Sequence, residues 1–208
     1  MPCVSHARAA DELAARDPVM AGLVAAAGPP DLRDRTKRTP FEALARAICF
    51  QQLSGKAAAT IYGRFEVAVG GAVTPEAVLA TPFDDLRGAG LSNAKALSIL
   101  DLATKVDDGT VPLDRVGRLG DDELIERLVV VRGIGRWTAE MFLMFQLRRL
   151  DVWPVDDLGV RKGYGLAYRL PSMPTPKELA VLGDAFRPFR SVAAWYCWRA
   201  CEMGELPG

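Results

Sequence analysis

Apolar side chains recur at three- and four-residue spacings in Phe41–Phe50, Ala57–Val69, Ala94–Val106, Leu124–Val131, Thr138–Leu147 and Val192–Cys201. That period places them on one face of an α-helix, whereas a half-buried strand needs strict alternation. Helix starts are signalled by Thr39-Pro40, Thr74-Pro75, Thr81-Pro82 and Thr175-Pro176, and a stop by Gly70-Gly71. The β-branched run Leu128-Val-Val-Val131 favours a short strand when taken alone. It lies between the acidic start Asp121-Asp-Glu123 and a Gly-x-Gly turn, which predicts the end of a helix instead. There is no βαβ alternation. The pattern predicts an all-α chain, a bundle of short helices with brief connections. Its 208 residues suffice for one core or two small lobes, and no Ser/Gly-rich linker separates two halves.

Composition excludes more than it selects. Lys and Arg total 26 against 26 Asp and Glu, so net charge offers no argument for a nucleic-acid or membrane partner. Any such partner must be read locally. The cysteines are Cys3, Cys49, Cys197 and Cys201, and the single histidine is His6. No CxxC is present and Cys197/Cys201 have no second pair, so no metal site is expected from these residues. Reduced thiols in a cytosolic protein fit better. The apolar stretch Val19–Gly28 is too short to span a bilayer, and Asp11, Glu12 and Asp17 before it are wrong for a secretory signal. These features predict a soluble cytoplasmic protein, without a membrane partner.

One internal echo carries chemistry. Arg87-Gly-Ala-Gly90 and Arg132-Gly-Ile-Gly135 lie 45 residues apart, each between two helical runs. Glycine permits the backbone angles of a tight turn and the close approach of another backbone. In the second copy a hydrophobic helix stops at the turn and a new one begins at once. The first N–H groups of that helix have no intrahelical partners and sit at the positive end of its dipole, an arrangement suited to a phosphate. Arg132 and Arg136 flank it, and residues 126–170 hold eight basic against five acidic side chains, +3 locally. Such a patch positions a nucleic-acid backbone without reading its sequence. Twenty-two residues after Gly135 stands Asp157, in Pro154-Val-Asp-Asp157, where an acidic pair after proline reads first as a helix N-cap.

Taken together, Gly133-Ile-Gly-Arg-Trp-Thr-Ala139, Val155-Asp-Asp-Leu-Gly-Val-Arg161, Thr39–Ile48 with Gln51-Gln-Leu-Ser54, Gly90–Ala96, and Phe189-Arg-Ser191 with Trp198 resemble one family in order. It is the helix-hairpin-helix, Gly/Pro-Asp superfamily of DNA glycosylases, and the chain is most similar to its DNA-3-methyladenine glycosylase II, alkylation-repair branch. The resemblance covers about residues 35–200. It implies a two-lobed helical fold with a cleft between the lobes. Residues 1–35 would pack with the C-terminal lobe, 36–120 would carry a wedge segment, and 121–208 would form the hairpin and catalytic lobe. Residues 1–35 are too few to form the extra β-rich N-terminal domain of prominent relatives, so a compact variant with only the two helical lobes is expected.

The implied activity is monofunctional. Such enzymes flip a damaged nucleotide out of double-stranded DNA and cleave its N-glycosidic bond with water, the first step of base excision repair. By position the catalytic carboxylate is Asp157, with Asp156 as helix cap or loop support. Trp137 stands where bifunctional relatives carry a Schiff-base lysine, so no imine chemistry is expected. Trp137 and Trp198 would wall the base pocket with Met141 and Leu158, at positions where some relatives have tyrosines. Arg132, Gly133, Gly135, Arg136 and Thr138 would hold the DNA backbone, and Gln52 or Leu53 would wedge into the base stack. Lys56 and Lys95 are further phosphate candidates. Expected substrates are N-alkylated purines of the 3-methyladenine and 7-methylguanine type, whose cationic bases suit aromatic walls. No cofactor is expected beyond a monovalent cation at the hairpin, and the enzyme should act as a monomer, on the nucleoid if the cell is bacterial. Two alternatives differ in class: a non-catalytic hairpin module that only binds DNA, and a glycosylase for oxidised or mismatched bases.

Overall fold

The computed structural model describes residues 4–32 and 38–204, so Cys3 lies outside the described residues. Among the described residues there is no strand. The helices are α1 (His6–Arg16), α2 (Pro18–Ala27), α3 (Pro40–Phe50), α4 (Gly55–Ala68), α5 (Pro75–Ala80), α6 (Phe83–Gly88), α7 (Asn93–Asp107), α8 (Asp121–Val129), α9 (Arg136–Met141), α10 (Leu158–Ala167), α11 (Pro176–Leu182) and α12 (Arg190–Met203). After α9 the chain continues through a π turn, Phe142–Gln146. None of these helices is long and apolar enough to cross a membrane.

Several helix starts follow the side chains that precede them. Thr39 and Glu42 form a reciprocal capping box on α3, and Thr175 with Glu178 repeats it on α11. Asp17 caps α2, accepting from the Met20 N–H at 2.9 Å, and Ser92 caps α7. The run Leu128–Val131 resolves as the end of α8 and the turn after it, not a strand.

The described chain divides into two compact units, Arg35–Phe142 and a discontinuous one of Met1–Asp34 with Leu143–Gly208. The division therefore falls after Phe142, not after Gly120, and the hairpin of α8 and α9 belongs with α3–α7. The reason is local bonding. Asp101 on α7 accepts from the Arg132 N–H at 2.7 Å, and Gln51, after α3, donates to the Gly133 carbonyl at 2.8 Å.

In the discontinuous unit α10 and α12 cross at glycine. A Cβ on Gly163 would stand 1.7 Å from the Cys197 carbonyl oxygen, so only hydrogen lets the two backbones meet. The N-terminal helices close the other side of α12. The Tyr196 hydroxyl donates to the Gly28 carbonyl at 2.9 Å, and that of Tyr168 to Asp17 at 2.7 Å. Gly163→Ala should cost about 3 kcal/mol through overpacking, lowering Tm by roughly 6 °C or more in thermal unfolding followed by circular dichroism. Gly22→Ala, mid-helix in α2 with nothing within 4 Å of the new carbon, should leave Tm unchanged or raise it.

Candidate active site

The segment leading to Asp157 is clamped before α10 begins. The Ser191 hydroxyl accepts from the Val152 N–H at 2.9 Å and donates to the Arg149 carbonyl at 2.7 Å. Arg190 grips Asp151 through Nε at 2.8 Å and a terminal nitrogen at 3.0 Å, a two-pronged ion pair. The Trp153 indole, buried, donates to the Leu179 carbonyl at 2.8 Å. These contacts explain why Arg190-Ser191 accompanies the acidic pair so far away in sequence. A turn closed by the Asp157 N–H on the Pro154 carbonyl, 3.0 Å, then delivers the chain to α10.

Asp157 is itself the N-cap of that helix, and Asp156 is exposed in the turn before it. Of the two roles expected of Asp156, helix cap or loop support, the cap is corrected, because α10 begins at Leu158 and Asp157 still has extended backbone angles. Asp157 is 9% exposed. Its Oδ1 accepts two hydrogen bonds, from the Val160 N–H at 2.8 Å and from the Trp198 Nε1–H at 2.9 Å. The donors come from different helices, so the carboxyl group cannot rotate without breaking one of them. A cap of this kind contributes about 1 kcal/mol to the helix it starts.

Trp198 is fixed in turn. One face of its ring stacks on Phe145 of the π turn, with centroids 5.9 Å apart and planes 18° from parallel. Its N–H edge lies over Gly159, where a Cβ would come within 2.8 Å of Cδ1 and 3.2 Å of Nε1. Gly159 and Gly163, one helical turn apart, thus let Trp198 and the α12 backbone lie against α10. Next to Asp157, burial pushes the Cys197 thiol up and the carboxylate adds to the shift. Cys197 is a neutral thiol rather than a thiolate nucleophile or ligand. Leu158, beside the carboxylate, is 64% exposed, an apolar side chain left on the surface.

The hairpin is built on α7. Gly133 adopts φ +79°, and a Cβ there would stand 2.7 Å from the Ser98 hydroxyl, so both backbone angle and space demand glycine. Asp101 holds the Arg132 N–H. Burial works against its charge, but the Lys105 ammonium and the Arg132 N–H outweigh it and hold the carboxyl below its usual range. Val131 and Ile134 point into the core, leaving Arg132, Gly133, Gly135 and Arg136 exposed. Arg136 also pairs through Nε with the buried Glu140 at 3.0 Å. The Thr138 side chain is buried, so what this residue can offer a phosphate is its backbone N–H. Trp137, 49% exposed, and Met141, half-buried, follow on the same helix. The echo at Gly88–Gly90 is also helix–turn–helix, yet there the second glycine takes the positive φ, +101°, and here the first does.

The wedge turn joins α3 to α4. Gln52 is exposed with φ +55°, a left-handed conformation that costs a side-chain-bearing residue about 1–2 kcal/mol. Leu53, 40% exposed, follows it. Lys95 does not stand free for a phosphate: its ammonium donates to the carbonyls of Cys49 at 2.7 Å and Gln51 at 2.8 Å, closing the end of α3. Lys56 is exposed. The sequence assigns no role to Phe145 or Asp101, nor individually to Gly159 and Gln51, which lie inside the segments that resemble the family. Beyond those segments, Gly159 carries one further signal, its four-residue spacing to Gly163 on one helix face.

The chain is similar to known proteins in sequence and in fold. The family model described as HhH-GPD superfamily base excision DNA repair protein matches residues 45–186. A curated relative, DNA-3-methyladenine glycosylase 1 of Schizosaccharomyces pombe, is 40% identical over 176 residues, 83% of this chain and 77% of that one. Among solved structures, a 3-methyladenine DNA glycosylase of the same yeast in complex with abasic DNA superposes with a TM-score of 0.78. It is 40% identical, over 92% of this chain and 95% of that one. A DNA-3-methyladenine glycosidase of Bacillus halodurans gives a TM-score of 0.84 at 37% identity, over 93% of this chain and 88% of that one. By family match, identity and coverage alike, the chain belongs to the HhH-GPD superfamily of base excision DNA repair proteins, in its DNA-3-methyladenine glycosylase branch.

Proposed function

We propose that this protein is a monofunctional DNA glycosylase that everts N-alkylated purines from duplex DNA and releases them with water. The observation that carries the reading is the Asp157 carboxyl, fixed by two N–H donors on one oxygen. As the glycosidic bond breaks, the sugar takes on oxocarbenium-like positive charge. A carboxylate already oriented stabilises that charge without reorganising, and orients the water that attacks C1′. Alkylation at N3 or N7 makes the departing base cationic in the ground state, so it leaves as a neutral purine and needs little acid catalysis. Water adds to C1′, one proton is lost, and an abasic sugar remains.

The exposed Trp137 and the half-buried Trp198 supply electron-rich faces for such a base. Neither can form an imine, and strand cleavage through a Schiff base is not part of the proposal. The hairpin residues Arg132 to Arg136, with the first N–H groups of α9, take a phosphate, and the Gln52 turn fills the gap in the stack. The protein works as a monomer wherever the genome is kept, which in a bacterium is the cytoplasm.

Two variants test this. Asp157→Asn should keep duplex binding but slow single-turnover release of 3-methyladenine and 7-methylguanine by about a hundredfold or more. Normal release by that variant would assign the chemistry to another carboxylate, whereas no release by the wild-type protein would leave a DNA-binding module as the explanation. Trp198→Phe retains an aromatic ring against Phe145 but loses the N–H to Asp157 and part of the ring face. Release should fall about tenfold, the worth of a hydrogen bond to a charged group, with abasic-DNA affinity little changed. An equal loss of affinity for abasic DNA, which has no base to contact, would assign Trp198 to holding the sugar and backbone rather than to orienting Asp157.

A further inference from the structure

The wedge turn has few local supports. Ser54, at the N-cap of α4, makes no side-chain capping bond. Gln52 sits in a left-handed conformation at the exposed tip. What holds the turn comes from outside it. Lys95 on α7 takes the carbonyls of Cys49 and Gln51, and the Gln51 side chain reaches across 82 residues of sequence to the Gly133 carbonyl, 2.8 Å away. Gly133 is in turn seated over Ser98 on α7, three residues beyond Lys95 and three before Asp101, which holds the Arg132 N–H. One helix and one amide therefore tie the turn that bears Gln52 to the hairpin that bears Arg132 and Arg136.

We propose that Gln51, through its bond to the Gly133 carbonyl, is a positioning residue for base eversion, setting the Gln52 turn at a fixed offset from the phosphate-holding hairpin. Rigid spacing matters because a wedge must enter the stack at a set distance from the gripped phosphate. A turn free to tilt would still let the hairpin bind, but the inserted side chain would miss its gap. Gln51 thus acts through Gln52 and touches neither the base nor the sugar. The proposal rests on the glycosylase reading above, and its test is separable from it.

Eversion is read by 2-aminopurine placed beside a lesion, whose fluorescence rises on unstacking and needs no bond cleavage. Gln51→Leu keeps the bulk and removes the donor. At saturating protein the eversion signal and single-turnover release should both fall about tenfold, while the Kd for undamaged duplex stays within about threefold. In the double variant Gln51→Leu/Gln52→Ala the loss should be no greater than in Gln52→Ala alone, because both changes remove the same step. Lys95→Met, which frees the turn from the other side, should give the same pattern and serves if Gln51→Leu folds poorly. Multiplying losses in the double variant, weakened duplex binding, or unchanged eversion in Gln51→Leu would each overturn the proposal. A wild-type protein that everts but releases no alkylated base would instead overturn the functional reading and leave the coupling standing.

Discussion

Two N–H groups on one carboxyl oxygen organise the discontinuous unit. The Val160 N–H is available because α10 starts at Leu158 and leaves its first amides unpaired. The Trp198 indole arrives from α12, and it can reach Asp157 only because Gly159 and Gly163 remove the side chains that would hold the helices apart. Phe145 then fixes the plane of the indole, and the Ser191 and Arg190 clamps fix the approach of the chain to Pro154. Each contact is modest alone. Together they leave the carboxyl group few rotamers, which is the condition for stabilising a developing charge without first reorienting.

In the other unit the organiser is α7. Along one helix Lys95 secures the end of α3, Ser98 accommodates Gly133, and Asp101 takes the Arg132 N–H. The exposed residues of the hairpin and the wedge turn owe their placement to buried or half-buried partners on this helix. Polar side chains from the middle of the chain therefore serve as scaffold, although Lys95 reads from sequence as a phosphate candidate. Burial lowers the Lys95 pKa, in keeping with an ammonium drawn out of water onto carbonyls.

The parts of this structure that were legible in the sequence are those governed by local rules. Helical periodicity, threonine caps before proline and the glycine hairpin depend on neighbours a few residues apart, and they reappear as α3, α4, α7 and the α8–α9 turn. Asp157 was visible as an acidic residue at a helix start. Which member of the pair caps was not, because the answer turns on where the Pro154 turn closes. The unit boundary at Phe142 depends on hydrogen bonds spanning tens of residues, such as Asp101 to Arg132 and Gln51 to Gly133, that no periodicity encodes. The 45-residue echo predicts a glycine turn between helices at both places, and both are found. Ser98 under Gly133 and Ile61 beside Gly90 place different demands on the two, and the positive φ falls on opposite glycines. The stacking of Phe145 on Trp198 required a π turn, which sequence pattern does not announce.

The central claim is that a pre-oriented Asp157 stabilises positive charge at the sugar. Its most direct measure is the affinity for duplex DNA carrying a cationic pyrrolidine in place of the sugar, against the neutral tetrahydrofuran analogue. A transition-state role predicts that wild-type protein prefers the cation by about a hundredfold or more, and that the preference disappears in Asp157→Asn. Equal affinity for the two analogues, or a preference that survives the loss of the carboxylate, would contradict it.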